Sequence, residues 1–327
     1  MMLAAEPTTS AETTPQQIPD ASSSVESSFQ EVEFSRVYRP TSMFELLDRT
    51  FVFWRDAVRQ YVAWGIAAVL PPLCLQGFIL IAAARGKELS EAELAPWVML
   101  GLVLQLFPVT VLFYQASLQV GVPGARALNL PMVLRTYPRV VVSVLCVLFS
   151  AGIFLNMGLL AAGEVAPNPL ALVAILGGVA AALFVSASFA LAPVLAVEPG
   201  MSLFSSLAMS YRLMRMTRFH RSWWRDNAYW RLALLVSFPL CIHAIIFALA
   251  QASLWLHTGT IATMGKEPLR FLFSQAIISA GADAFLVPWS CLALVLLKNE
   301  LEMRSLGKDF LLHLWRRQRL DTCRPGE

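Results

Sequence analysis

The sequence predicts an all-α polytopic membrane protein with six transmembrane helices, and three observations support this fold class. Hydrophobic residues make up 57% of the 327-residue chain and charged residues only 14%, with a mean hydropathy of +0.61. Soluble domains are about half apolar and a quarter charged, so a soluble core cannot bury this excess. The apolar residues are gathered in long blocks, and the basic residues fall on one side of a six-span arrangement.

The apolar blocks set the positions of the spans. Each block reaches or exceeds the roughly 20 residues that a helix needs to cross about 30 Å of hydrocarbon. Prolines lie well inside five of the six blocks, and each is expected to kink its helix. The predicted spans are approximately 61–84, 97–118, 140–162, 170–197, 231–255 and 271–297.

The distribution of lysine and arginine predicts the orientation. Of the 25 basic residues, 21 fall on the side that holds both termini, and only Arg85, Lys87, Lys266 and Arg270 fall on the other side. Basic residues are retained on the cytoplasmic side of a membrane. Both termini are therefore predicted to be cytoplasmic.

The two ends of the chain differ from the six-span region. Residues 1–38 are rich in Ser, Thr, Pro, Gln and Glu, and this composition predicts a disordered acidic cytoplasmic tail. The segment lacks the basic start and apolar core of a signal peptide. Residues 39–311 form the predicted transmembrane domain, and residues 312–327 form a basic cytoplasmic tail.

The segment RPTSMFELLDRTFVFWRD, residues 39–56, precedes the first span and has helical periodicity. Ser42 and Glu45 form a capping-box pattern that predicts a helix start. Charged residues occupy the face opposite the apolar one, so an amphipathic helix lying along the cytoplasmic interface is expected. The apolar face consists of Met43, Phe44, Leu47, Phe51, Trp54 and Val58.

Similar segments precede the third and fifth spans. They read LPMVLRTYPRV from Leu130 and GMSLFSSLAMSYRLMR from Gly200, where Leu203, Phe204, Leu207, Tyr211 and Met214 form the apolar stripe. Three units, each an interfacial elbow helix followed by a helical hairpin, are predicted. The alternative is that interface helices occur without a repeat. The candidate elbow residues, which either bind headgroups or brace neighbouring elbows, are Glu45, Asp48, Arg49, Glu198 and Arg212.

Asp283 lies near the middle of the sixth predicted span. An ionised carboxylate there costs on the order of 2.5–3.5 kcal/mol on insertion scales, so it should face other helices or water. Gln275 on the same span and His243 on the fifth are candidate partners. The site is either a proton or substrate site, or a neutral carboxylic acid that hydrogen-bonds between helices.

Three segments resemble the membrane domain found in some bacterial glycerophosphodiester phosphodiesterases and in stand-alone six-helix bacterial membrane proteins. They are RPTSMFELLDRTFVFWRDAV, VLAVEPGMSLFSSLAMSYRLMR and LVLLKNELEMRSLGKDFLL. Met209 and Glu302 stand where that family usually has arginine. The resemblance implies a multi-pass protein of the bacterial cytoplasmic (inner) membrane. The matching positions are Arg39, Pro40, Glu45, Leu46, Leu47, Asp48, Arg49, Glu198, Gly200, Ser210, Arg212, Leu213, Leu301, Arg304, Gly307 and Asp309.

The residues do not predict an enzyme. The catalytic domain of those phosphodiesterases is a separate barrel, and this chain lacks both its length and its residues. The histidines are never at metal-ligand spacing with cysteines or carboxylates, and no phosphate loop or nucleophile elbow occurs, so no catalytic residue, metal or cofactor is predicted. The basic stretches suit lipid headgroups better than nucleic acid.

Two functions remain open on the sequence alone. The first is a non-enzymatic integral membrane protein that organises partner proteins or lipids in the cytoplasmic membrane. The alternative is a small transporter or lipid-handling carrier with a central polar site around Asp283. The expected partners are the lipid bilayer and, beyond it, other membrane proteins or lipid ligands.

Overall fold

The first helix begins at the residue that the capping box predicts. The computed structural model describes residues 42–86, 90–121, 128–164, 169–216, 227–258 and 269–305. The hydroxyl of Ser42 accepts a bond from the backbone N–H of Glu45 at 3.2 Å, and the Glu45 carboxylate accepts one from the N–H of Ser42 at 3.4 Å. The predicted tails, 1–38 and 312–327, lie outside the described residues.

All of the secondary structure in these described ranges is helical. Six segments are long and apolar enough to cross a membrane, one of which combines α4 with α5, so the predicted six-span all-α fold class is confirmed. The helices are α1 (Met43–Ala84), α2 (Glu91–Gly121), α3 (Leu130–Glu164), α4 (Pro169–Ser188), α5 (Ala192–Ala196), α6 (Leu203–Met216), α7 (Ala228–Thr258) and α8 (Leu269–Ser305).

Two of the three predicted elbows are not separate helices. The first is the beginning of α1, which runs without a break through 42 residues, and the second is the beginning of α3. No glycine or proline stands between the first elbow and its span, so nothing interrupts the helical hydrogen bonds. Only the third elbow is a helix of its own, α6, which follows a turn where Gly200 has a φ of +86°.

The fourth span is interrupted near its end. Helix α4 stops at Ser188, residues 189–191 form a turn, and α5 resumes at Ala192 with Pro193 in its first turn. Proline has no N–H and fits the first turn of a helix, which explains why the chain restarts here rather than continuing. The prolines within α1, α2, α3, α7 and α8 are accommodated inside continuous helices.

Successive long helices run in opposite directions, so α1, α3 and α7 begin at the end of the bundle where α2, α4 and α8 end. We call this the basic end of the bundle. Tyr61 of α1 donates to the side chain of Gln119 of α2 at 2.6 Å, and Arg231 of α7 contacts Glu300 of α8, which fixes the registers. Most of the buried residues lie at this end, including nearly all of α5 and the second halves of α2 and α8. The core therefore sits at the basic end.

The packed faces contain several small hydroxyl-bearing residues within a mainly apolar core, whereas many other large apolar residues face outwards. In α6 the buried residues include Ser206 and Ser210, while Phe204 of the predicted apolar stripe is 80% exposed. In α1 Thr50 is fully buried, while Phe44 is 70% exposed. Large apolar side chains are well solvated by lipid acyl chains, and small residues allow helices to approach closely. The predicted apolar stripes are therefore divided, since Phe44 and Phe204 face away from the protein whereas Met214 is fully buried.

Close helix crossings depend on glycine. A Cβ on Gly65 of α1 would overlap the carbonyl oxygen of Ala284 in α8 and lie 2.7 Å from Cγ of Pro288. In the α3–α4 pair, a Cβ on Gly158 would lie 2.9 Å from Cα of Gly178. The α1–α8 and α3–α4 pairs are the two most extensive helix contacts, and both place glycine where backbones nearly touch.

Candidate functional site

Asp283 and His243 meet within the apolar part of the bundle. Nε2 of His243 on α7 lies 2.9 Å from Oδ1 of Asp283 on α8, a hydrogen-bond distance, and each side chain is about one third exposed (35% and 36%). Each group would be costly alone in hydrocarbon, and pairing satisfies part of the hydrogen-bonding need of both. Of the two candidate partners for Asp283, the structure places His243 against it.

Gln275 is not part of this pair. It lies eight residues before Asp283 on α8, about 12 Å along the helix axis, which is too far for contact with the carboxylate. Its side chain is half-buried. The intramembrane site therefore consists of two of the three residues that the sequence suggested.

An aromatic cluster separates the polar pair from the basic end. The rings of Phe51 on α1, Phe238 on α7 and Trp289 on α8 have centroid distances of 5.1, 5.5 and 4.6 Å. Phe238 precedes His243 by five residues and Trp289 follows Asp283 by six, so on both helices the cluster is on the basic-end side of the pair. Large packed rings leave little room for water between the two polar regions.

A buried ion triad joins α7 to α8 at the basic end. Nη1 of Arg231 lies 3.2 Å from Oε1 of Glu300, and Nε of Arg304 lies 2.7 Å from the same oxygen. Arg231 and Glu300 are 1% and 3% exposed. Such groups are tolerated in the interior only because they are paired, and removing one partner of a buried pair costs about 3–5 kcal/mol.

A second triad joins α8 to the turn between α5 and α6. The ammonium group of Lys298 contacts the carboxylate of Glu198 and lies 3.0 Å from Oε2 of Glu302. Lys298 is nearly buried, with 9% of its side chain exposed. We refer to the two triads together as the basic-end ion network: Arg231, Glu300, Arg304, Glu198, Lys298 and Glu302.

Hydroxyl groups connect further elements in the same region. Ser210 of α6 donates to the carbonyl oxygen of Ser188 at the end of α4, at 3.1 Å. The hydroxyl of Ser188 lies 3.0 Å from that of Tyr229 at the start of α7. Three helices are thus linked through one residue, which fixes the position of α6 against the spans.

The candidate elbow residues have different surroundings. Glu45 closes the helix cap and pairs with Arg49 at 3.2 Å, so these two brace the start of α1 locally. Glu198 belongs to the basic-end ion network. Asp48 and Arg212 are exposed. The five residues are therefore spread over the basic end rather than gathered in one site.

Sequence reasoning did not single out Lys298, Glu300 or Arg231 as site residues. A partial signal was present, since Lys298 and Glu302, like Glu300 and Arg304, have the i,i+4 spacing of paired charges on a helix. The contacts to Arg231 and Glu198, which lie 69 and 100 residues away along the chain, depend on the fold.

The described part of the chain contains no group of three His, Cys, Asp or Glu side chains arranged to hold a metal ion. Cys74, Cys146, Cys241 and Cys291 are free thiols within helices. The chemistry that the described residues offer is ion pairing and hydrogen bonding.

Comparison with known proteins does not assign a family. No family model matches the chain, and no curated protein or solved structure matches it. The resemblance to the membrane domain of glycerophosphodiester phosphodiesterases stays a prediction.

Proposed function

We propose that this chain is a non-catalytic integral membrane protein of the bacterial cytoplasmic membrane that organises lipids or partner proteins at the basic end of its bundle. The observation that supports this proposal is the basic-end ion network. It joins α7, α8 and the turn before α6 through buried charges, so this end has a fixed arrangement of charged groups.

The position of the network favours binding over transport. Its buried members hold the helices together, while Asp48 and Arg212 are exposed on the same end and are free to meet a ligand. The aromatic cluster lies between this end and the His243–Asp283 pair. A carrier needs a polar path from its central site to the surface, and on α7 and α8 the basic-end side of the pair is occupied by aromatic rings.

The proposal is tested by extracting the full chain in native nanodiscs and identifying the lipids and proteins that remain bound. We expect enrichment of particular lipids or proteins over the bulk membrane. Glu198→Gln, which loosens the turn before α6, should reduce the enrichment while the protein still inserts. Asp56→Asn, an exposed carboxylate on α1, serves as the control and should leave it unchanged. A wild-type protein that enriches neither lipid nor protein contradicts the proposal.

A second candidate function, a small transporter or lipid-handling carrier, is favoured by one observation. The side chains of the His243–Asp283 pair are each about a third exposed, so the imidazole and the carboxylate can be reached from outside the bundle. In proteoliposomes, a carrier should move protons or solute, and Asp283→Asn should abolish this movement while the protein remains folded. Equal flux through wild type, mutant and empty vesicles rules the carrier out.

The orientation is tested separately. A reporter fused after Glu164 should register as external, and one fused after Met216 as cytoplasmic. The reverse result would place the basic end on the outer face and remove the basis for contacts with cytoplasmic partners.

A further inference from the structure

A cavity of about 490 Å³ opens at the basic end between the start of α3 and the turn that follows α5. One wall is a single face of α3, on which Arg135 and Arg139 lie one turn apart. The other wall is the turn containing Pro199 and Gly200. The cavity is also lined by Asn129, Pro131, Met132 and Thr136. We propose that this cavity binds the phosphate group of an anionic phospholipid.

The two arginines differ from the basic residues of the basic-end ion network. Arg231, Lys298 and Arg304 are each paired with carboxylates in the basic-end ion network. Within the described residues, neither Arg135 nor Arg139 contacts a carboxylate, so the cavity has two positive charges that the described chain does not neutralise.

The structure also positions one of these guanidinium groups. Nη1 of Arg139 donates to the carbonyl oxygen of Met201 at 2.9 Å, which ties the side chain across the cavity to the turn. Arg139 retains further N–H donors after making this bond. Arg135 is exposed and can turn towards a ligand. Two arginines at the spacing of one helical turn suit an anion with several acceptor oxygens, and the planar guanidinium group fits phosphate well.

The surroundings favour a lipid over a free anion. Arg139 directly precedes the apolar block 140–162, so the cavity lies at the predicted headgroup level. On the same helix Leu130 and Leu134 are about half exposed (45% and 52%), which offers acyl chains an apolar surface beside the arginines. Basic pockets between transmembrane helices on the cytoplasmic side are typical sites for anionic headgroups. This inference rests on the proposed function, of which it specifies the lipid ligand.

The test uses the purified, delipidated full chain in a neutral detergent, titrated with phosphatidylglycerol, with phosphatidylcholine or with inorganic phosphate. Binding is followed by native mass spectrometry and by the tryptophan fluorescence of the protein. The variants are Arg135→Gln alone and Arg135→Gln/Arg139→Gln. The control is Arg55→Gln/Arg59→Gln, which removes the same charge at the same i,i+4 spacing from exposed positions on α1.

We expect phosphatidylglycerol to bind the wild type more tightly than phosphatidylcholine, and to bind Arg135→Gln about fivefold more weakly. This factor corresponds to about 1 kcal/mol for one basic residue near an anionic headgroup. The double variant should lose more, and the control should bind as the wild type does. Because Arg135 is exposed and has no carboxylate partner among the described residues, its loss should not unfold the protein.

Three outcomes contradict the inference. The double variant could bind as tightly as the wild type, the control could weaken equally, or inorganic phosphate could bind as tightly as the lipid, which would make the site one for free phosphate. Each leaves the proposed function intact if native nanodiscs still show enrichment. Conversely, the proposed function fails if wild-type nanodiscs enrich nothing, whatever the cavity binds in detergent.

Discussion

The close crossing of α1 and α8 at Gly65 allows a stability prediction with an internal control. A Cβ at this position would lie 2.7 Å from Cγ of Pro288, whereas ordinary contacts begin at about 3.4 Å, and it would also overlap the carbonyl oxygen of Ala284. A backbone carbonyl within a helix cannot rotate away. The carbonyl oxygen is the nearer of the two atoms, so the helices must separate by about 1 Å or more, which loosens the most extensive helix contact in the bundle.

The magnitude follows from a comparison with Gly77 in the same helix. A Cβ there meets nothing within 4 Å, so Gly77→Ala changes only the helix propensity, which favours alanine by about 1 kcal/mol. Gly65→Ala gains the same stability from helix propensity, but it also overpacks the contact with α8, which typically costs about 1–3 kcal/mol. The difference between the two variants isolates the overpacking: Gly65→Ala should be less stable than Gly77→Ala by about 1–3 kcal/mol.

The assay is equilibrium unfolding in mixed micelles of neutral detergent and sodium dodecyl sulfate, followed by tryptophan fluorescence. Trp289, which is buried at 2% exposure one residue after Pro288, should report the separation of α1 and α8. Equal midpoints for Gly65→Ala and Gly77→Ala would refute the close crossing, since both variants would then reflect propensity alone.

Three further changes test other contacts by the same unfolding measurement. Glu300→Gln leaves buried cations without their carboxylate and should lower the free energy of unfolding by about 3–5 kcal/mol. Glu45→Gln, at the more exposed start of α1, should lower it by about 1 kcal/mol or less. Similar losses for the two variants would contradict the burial of the ion network. Gly178→Ala should weaken the α3–α4 pair because its Cβ would lie 2.9 Å from the backbone of α3. Gly177→Ala should not, because a Cβ there meets nothing within 4 Å. A Gly177→Ala variant less stable than Gly178→Ala would be inconsistent with this packing. Tyr61→Phe removes a bond to α2 and should cost about 1 kcal/mol, and an unchanged midpoint would mean that this bond contributes nothing.

Much of the fold was predictable because hydropathy acts locally. Each of the six apolar blocks matches a segment long enough to span, extending at most two residues beyond it at either end, and the pattern at Ser42 and Glu45 located the start of α1. The continuity of α1 was not predicted, since an amphipathic start was interpreted as a separate elbow. The absence of a breaker before the span is the local reason that the helix continues.

The orientation of the helix faces could not be predicted from periodicity alone. A stripe of large apolar residues looks the same whether it packs on protein or on lipid. In α6, Phe204 is largely exposed and Ser210 is buried, because the hydroxyl of Ser210 finds a carbonyl acceptor on α4 that the sequence does not reveal.

The candidate site was predictable only in part. A carboxylic acid within an apolar block marked Asp283 as unusual, and His243 was one of its candidate partners. The basic-end ion network was missed because its main contacts join residues such as Glu198 and Lys298 from distant parts of the sequence. A sequence does not distinguish a charged residue that is exposed at the cytoplasmic end of a helix from one that is buried in an ion pair.

The contrast between buried serines in α6 and large apolar residues on the outer surface has a consequence for how this chain can change over time. Lipid requires only that a side chain be apolar, so exposed positions such as Phe149 and Leu160 can exchange freely among leucine, isoleucine, valine and phenylalanine. Ser206 and Ser210 are fully buried, and the hydroxyl of each donates to a backbone carbonyl. Sequence drift should therefore concentrate on the bulky hydrophobic residues of the outer surface, and the buried serines should be more restricted than they are, whereas on a water-soluble protein the surface positions that drift are polar.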